Sequence, residues 1–290
     1  MIRFADKNTS RDVKEMWQVC FSDTNEFIEL YFSEKYKNRN TLIYFENERP
    51  VASLQMLPYF FTFCDREILI SYISGACTLE DFRNKGYMSE LLVKSFKVMQ
   101  ERNISISVLI PAEDRLYPYY SKYGYEKTFD YDNEIIPLKS IWEQANKDVD
   151  KAYSDFDDLF RNKDFCVQKT KNDFITIYKD AKLDKFPPKT NLSGMSRIVN
   201  AKQLLSIFAS KYPDKSFILE LNDNILIENN GIYKIDRGIC RKIRTSKEVN
   251  FKLDINFLCR LLFGYHLNNI PNVISTNFES HTPVMNLMLE

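Results

Sequence analysis

Between residues 41 and 79 the chain carries one strand pattern after another, and this stretch constrains the fold most. Residues 41–46 and 51–57 are apolar, with the polar turn Asn47-Glu48-Arg49-Pro50 between them. A second hairpin follows, with strands Tyr59–Cys64 and Ile68–Leu79 around the turn Asp65-Arg66-Glu67. Such a sheet needs apolar cover, and the flanking sequence supplies it. Behind a cap at Thr9 or Ser10, residues Val13, Met16, Trp17, Cys20 and Phe21 form a helical stripe. After the hairpins, Met88, Leu91, Leu92, Phe96 and Met99 form another. Ile104, Ile106 and Val108 then alternate with Ser105 and Ser107, which predicts a strand closed by Pro111. Helix, antiparallel strands, helix, strand is an α+β pattern over about 140 residues.

The rest of the chain reads as two further parts. Residues 141–190 are rich in charge and Asn, and Phe174-Ile175-Thr176-Ile177-Tyr178 predicts a strand. Pro187-Pro188 followed by Asn191-Leu192-Ser193-Gly194 reads as a linker. A compact unit follows, with a helix near 201–211 that puts Leu204, Leu205 and Phe208 on one face. Strands are expected at Phe217–Leu221, Ile225–Ile227 and Ile232–Ile235, separated by Asn222-Asp223-Asn224 and Asn229-Asn230-Gly231. Asp254 is placed to cap a last helix, through Ile255, Leu258, Leu261 and Leu262, that ends at Gly264. The expected division is 1–140, 141–194 and 195–290.

Composition narrows the function. Lys plus Arg is 40 and Asp plus Glu is 40, a net charge of zero; a nucleic-acid binder normally shows a basic excess. The start, Met1-Ile2-Arg3-Phe4-Ala5-Asp6, lacks a secretory apolar stretch, and no run approaches the ~18 apolar residues of a membrane span. The six cysteines are scattered and the histidines are two, His266 and His281. We therefore expect a cytoplasmic protein with reduced thiols, no metal, no membrane and no nucleic acid.

Glycine is scarce, at 7 of 290 residues against a usual ~7%, so each one tends to sit where a Cβ is awkward. Three, Gly75, Gly86 and Gly124, fall within one fifty-residue stretch. Within it, Ser74 to Met88 reads as strand, loop and helix start, with Arg83, Asn84 and Lys85 on the loop and Gly86 where the helix begins. The first N–H groups of a helix lack internal partners and, with the helix dipole, attract an anion. Gly86 would let a diphosphate approach the backbone, and Arg83 and Lys85 would add charge-assisted bonds. Taken alone, Arg-x-x-Gly is equally compatible with a solvated basic loop.

In its setting, Arg83-x-x-Gly86 resembles the coenzyme A loop of the GNAT N-acetyltransferases. Met88 stands where that family usually has Gly or Ala, a departure found in its Eis-like branch. Tyr120-Ser121-Lys122-Tyr123-Gly124-Tyr125 is similar to a segment of that branch. So are Arg197-Ile198-Val199-Asn200, Asn229-Asn230-Gly231-Ile232-Tyr233 and Leu253-Asp254-Ile255, which resemble its C-terminal sterol-carrier-protein-like domain. The resemblance implies a GNAT fold with a mixed, mostly antiparallel sheet, and a smaller α+β domain after it. The branch's second GNAT-like domain has no room in residues 141–194.

The resemblance implies acetyl-CoA as co-substrate, held by Ala76, Cys77 and Thr78 at the strand end and by Arg83, Asn84, Lys85, Gly86, Tyr87 and Met88. It implies Tyr120 as general acid toward the leaving thiolate and the chain-end carboxylate at Glu290 as general base. The acceptor would be a primary amine of a small molecule or of lysine. Ala112 and Glu113 would line the cofactor or substrate side. The alternatives are a non-catalytic module binding acyl-CoA or an apolar ligand, and an acyltransferase for longer chains. A homo-oligomer is compatible with the sequence.

Overall fold

The structure is a computed structural model and describes residues 1–246 and 248–289. Along the chain run β1 (Ile2–Phe4), α1 (Ser10–Cys20), α2 (Asn25–Glu34), β2 (Thr41–Glu46), β3 (Arg49–Phe63), β4 (Arg66–Thr78) and α3 (Tyr87–Glu101). Then come β5 (Ile106–Leu109), α4 (Leu116–Ser121), β6 (Glu126–Phe129), α5 (Lys139–Ala145), α6 (Val149–Asp158), β7 (Cys166–Gln168) and α7 (Lys171–Leu183). The last elements are β8 (Gly194–Ile198), α8 (Ala201–Lys211), β9 (Phe217–Asn222), β10 (Gly231–Asp236), β11 (Ile239–Ile243), β12 (Phe251–Asp254), α9 (Ile255–Leu262) and α10 (Asn272–Ser275).

Eight strands form one sheet in the order β1-β2-β3-β4-β5-β8-β6, with β7 paired to β3; four form a second sheet, β11-β10-β9-β12. Only the β4–β5 and β9–β12 pairs are parallel, so the mixed, mostly antiparallel α+β class is the one observed. Strand alternation covers both faces of the large sheet. Ile43 and Phe45 pack with Val13 and Met16 of α1, while Leu42, Leu54 and Met56 pack with Leu91, Leu92 and Phe96 of α3. Both faces being buried is why β3 reads as an almost unbroken apolar run.

Several local expectations change. The stretches at 51–57 and 59–64 are one strand, β3, running through Pro58. Along the edge away from β4, β3 pairs with β2 as far as Gln55 and with β7 from Phe60. Pro58 falls in the gap between, where its missing N–H is tolerated. The turn into β4 is Cys64-Asp65, both at positive φ, the twist a two-residue hairpin needs. Neither Thr9 nor Ser10 caps α1 with its side chain; the Thr9 hydroxyl bonds to Asp6 instead.

Residues 174–178 are not a strand but the centre of α7. Thr170 and Asp173 form a capping box, and Phe174, Ile177 and Ala181 pack at helical spacing against Trp142 and Phe156. Residues 225–227 are likewise no strand, because the Asp223 carboxylate accepts from Ile225 N and Leu226 N at 3.0 Å and bends the chain. Asp254 does cap α9, accepting from Phe257 N at 2.8 Å.

The segment expected to open a separate C-terminal unit is itself part of the large sheet, since β8 lies between β5 and β6. Its Arg197, fully buried, donates two hydrogen bonds to the Asp223 carboxylate at 2.9 and 3.0 Å, which ties the large sheet to the loop after β9. Removing one partner of such a pair strands a buried charge. Arg197→Met should therefore lower unfolding stability by ~3–5 kcal/mol. Lys151→Ala, which removes an exposed pair with Asp155, should stay within ~0.5 kcal/mol. Urea unfolding of both variants checks the contrast.

Candidate active site

The end of β4 is shaped by a bulge. Ser53 pairs with Cys77 and Gln55 with Ser74, so Gly75 and Ala76 together oppose Leu54. Gly75 has φ +55°, and a Cβ there would lie 2.4 Å from the Trp17 ring. On its other side β4 pairs with β5 only at Ile70–Tyr72. From Ile73 to Thr78 that edge meets no strand among the described residues, and its backbone groups can receive an extended ligand arm. Ala76, Cys77 and Thr78 lie on this edge.

Past Thr78 the chain makes a short turn at Glu80–Phe82 and reaches α3 through Arg83, Asn84, Lys85 and Gly86, all exposed. Gly86 is the N-cap of α3 at φ +87°, with no side-chain cap, so the first helical N–H groups point out unmet. A Cβ at Gly86 would meet nothing within 4 Å, so the space above it is open. The two cations are not equally free. Arg83 Nε donates to Thr78 O at 3.2 Å, and Lys85 Nζ lies 4.7 Å above the Phe82 ring and 3.9 Å from Glu46. Tyr87 stacks on Tyr44 and donates to Glu46, while Met88 is partly buried beneath the loop.

Tyr120 on α4 is 8% exposed. Its rings-only neighbours are Tyr119 and Tyr125, at centroid distances of 5.3 and 5.8 Å. Tyr117, Tyr123 and Tyr125 each share a hydrogen bond with a serine (Ser193, Ser89 and Ser107), whereas the Tyr120 hydroxyl makes none with a described residue. Burial pushes its phenol up to about 12. It is therefore held neutral in the ordinary pH range. Ala112 and Glu113 are exposed, and Glu113 pairs with Arg115.

A cavity of about 440 Å³ lies between the α1–α2 loop, α7 and the last described residues. Asp23, Asp180 and Asp184 line it against one cation, Lys189. Burial pushes the Asp180 carboxyl up. Asp23 accepts from Trp17 Nε1 at 2.7 Å, so one indole touches both the bulge of β4 and the acidic wall. None of these carboxylates was anticipated from sequence. Asp180 sits on α7, two residues past the stretch 174–178 that the sequence reads as a strand, and Asp23 stands in a short polar loop with no motif around it.

The chain end closes the cavity. Val284 bridges to β7, and Leu192 N donates to Met285 O at 2.8 Å. Met285 to Leu289 are buried, and Leu287, Met288 and Leu289 line the cavity wall. The expected base, Glu290, lies outside the described residues.

Residues 1–128 match the sequence profile of the acetyltransferase (GNAT) domain. Those residues are a GNAT acetyltransferase domain. Solved structures share the fold over the whole chain. A conserved protein from Enterococcus faecalis V583, described as a probable N-acyltransferase, is 14% identical, with TM-score 0.71 and coverage of 98% of each chain. A GCN5-related N-acetyltransferase from Anabaena variabilis is 13% identical, with TM-score 0.65 and coverage of 98% of this chain and 96% of that one. Eis1 from Mycobacterium abscessus is 9% identical, with TM-score 0.65 and coverage of 99% of each. No curated protein matches the sequence. Among the described residues no helix is long and apolar enough to cross a membrane, and no cluster of His, Cys, Asp or Glu could hold a metal ion.

Gly86→Val tests the loop. It adds a β-branched side chain at positive φ, a strain of ~1–2 kcal/mol, and fills the open space. Coenzyme A binding by calorimetry should weaken by about tenfold or more, with the helical circular dichroism retained.

Proposed function

We propose that the protein transfers the acetyl group of acetyl-CoA to a primary amine, on a small molecule or a lysine side chain, bound in the acidic cavity. The observation that carries this reading is the contact of Trp17 with both Gly75 and Asp23. It brings the unpaired strand edge, suited to a pantetheine arm, next to a cavity that attracts ammonium. Three carboxylates against one lysine favour a cationic acceptor, and about 440 Å³ suits a small molecule or one extended side chain.

In this reading the coenzyme's phosphates meet Arg83, Asn84, Lys85 and the first N–H groups of α3, while Ala76, Cys77 and Thr78 hold the arm. The neutral amine attacks the thioester carbonyl carbon, the C–S bond breaks, and the departing thiolate takes the Tyr120 proton. A phenol at about 12 is a weaker acid toward a thiolate than an exposed one at ~10. The thiolate is destabilised in the same dry surroundings, which restores part of the driving force. The ammonium proton of the acceptor goes to a carboxylate. The burial of Met285–Leu289 against the cavity supports a docked chain end, and Glu290 is our candidate base. We place the protein in the Eis-like branch. We keep residues 141–194 as a shortened middle region and read 195–290 as sterol-carrier-like, with its first strand, β8, seated in the large sheet.

Two measurements test the mechanism. Tyr120→Phe should lower kcat by ~10²-fold or more while leaving coenzyme A affinity unchanged, because the hydroxyl bonds to no described residue. Removal of the last four residues should do the same, and a C-terminal tag should inhibit. Full activity in both variants would exclude these roles. In a pH series the phenol, protonated until far above neutrality, should produce no descending limb between roughly pH 6 and pH 10. Asp23→Asn with Asp180→Asn should raise KM for a diamine by about tenfold and affect a monoamine less.

A further inference from the structure

Five of the six cysteines are buried, and Cys20 alone is partly exposed. Burial raises the thiols of Cys64, Cys166, Cys240 and Cys259, so they behave as small apolar residues. Cys20 differs. It is the last residue of α1, its Sγ lies 3.7 Å from Thr78 O, and Arg83 donates to the same carbonyl at 3.2 Å. Its neighbour is Cys77, near the end of β4 where only the edge toward β5 is unpaired, and the Cys77 Sγ is 3.4 Å from Ser53 Oγ. A hydrogen bond from Cys77 favours a thiolate on Cys20, as does the Arg83 charge, and the Cys20 thiol is lowered to about 7. The same pairing pushes Cys77 well above the usual thiol range, and burial adds to it.

We propose that Cys20 and Cys77 form a thiol–disulfide exchange site, with a disulfide of the coenzyme A type as its oxidant. The Cys20 thiolate attacks one sulfur of the disulfide, and the first coenzyme A thiolate leaves and is protonated. The mixed disulfide removes the Cys20 hydrogen bond and charge, both of which hold the Cys77 thiol up. Cys77 then loses its proton more easily, attacks the Cys20 sulfur, and expels the second coenzyme A thiolate. Two protein thiols are oxidised and one external disulfide is reduced to two thiols. The coenzyme supplies the specificity, because its phosphates would use the same α3 N-terminus, a step that rests on the proposed donor site. The new bond ties the end of α1 to the bulged end of β4. It restrains the Ser22–Thr24 loop of the acceptor cavity, which follows α1 directly.

The test uses the reduced full chain and coenzyme A disulfide. The expected result is loss of two of the six free thiols, a Cys20–Cys77 linked peptide by mass spectrometry, and recovery with dithiothreitol. Before oxidation, iodoacetamide near pH 7 should alkylate Cys20 about tenfold faster than any other cysteine. Oxidation should lower thiol-releasing turnover by at least about fivefold. Cys20→Ser should keep its turnover and lose the sensitivity. Six thiols surviving, or loss spread over the other cysteines, would overturn the proposal. The link forming in a chain with no turnover on any amine would defeat the acetyltransfer reading and leave the thiol pair standing. Glutathione disulfide reacting as fast as the coenzyme disulfide would overturn the coenzyme specificity.

Discussion

The buried pair of Arg197 and Asp223 holds the two sheets in one body. Arg197 is on β8, which stands between β5 and β6, and Asp223 is on the loop after β9. Neither side chain is exposed at all. Taking two charges out of water is costly unless their lone pairs and protons are met. Here they nearly all are. Asp223 also accepts from Ile225 N, Leu226 N and Asn229 Nδ2, and the guanidinium lies over the Phe96 ring at 4.7 Å. Only Arg197 Nε lacks a partner. The pair acts as a registry device: it sets which loop of the second sheet meets which strand of the first. A core of rings from both parts, Phe61, Phe129, Phe165 and Phe263, fills in behind it.

That registry places the working parts. Asn256 of α9 donates to Ser121 O and Tyr125 O at 3.0 and 2.8 Å, so the second part of the molecule braces the turn beside Tyr120. The chain end passes between β7 and residues 191–192 to close the acidic cavity. The region after residue 141 is short, yet α7 and its C-cap supply a wall with two carboxylates, Asp180 and Asp184. An N-terminal domain with an open strand edge thus acquires its second wall from residues far along the chain.

Much of this was legible in the sequence. The β2–β4 hairpins, the α3 stripe and the strand–loop–helix around Gly86 follow from local periodicity and turn chemistry, which do not need distant partners. The misreadings have specific causes. Phe-Ile-Thr-Ile-Tyr at 174–178 has the β-branched look of a strand, but the capping box at Thr170 starts a helix and the packing of Trp142 and Phe156 keeps it. Ile225–Ile227 is apolar enough for a strand, but a side chain two residues earlier takes its N–H groups. The 187–194 stretch has a linker's composition, yet its backbone pairs with residues 285–286.

The sequence by itself determined the α+β class, the basic loop ahead of α3 and the aromatic run containing Tyr120, because each depends on residues close together in the chain. Tertiary structure alone decided the seat of β8, the acidic cavity, the isolation of the Tyr120 hydroxyl and the meeting of Cys20 with Cys77. Those features need contacts between residues 50 to more than 150 positions apart. No local pattern encodes such contacts; they are chosen by which buried charges and apolar faces can be satisfied together.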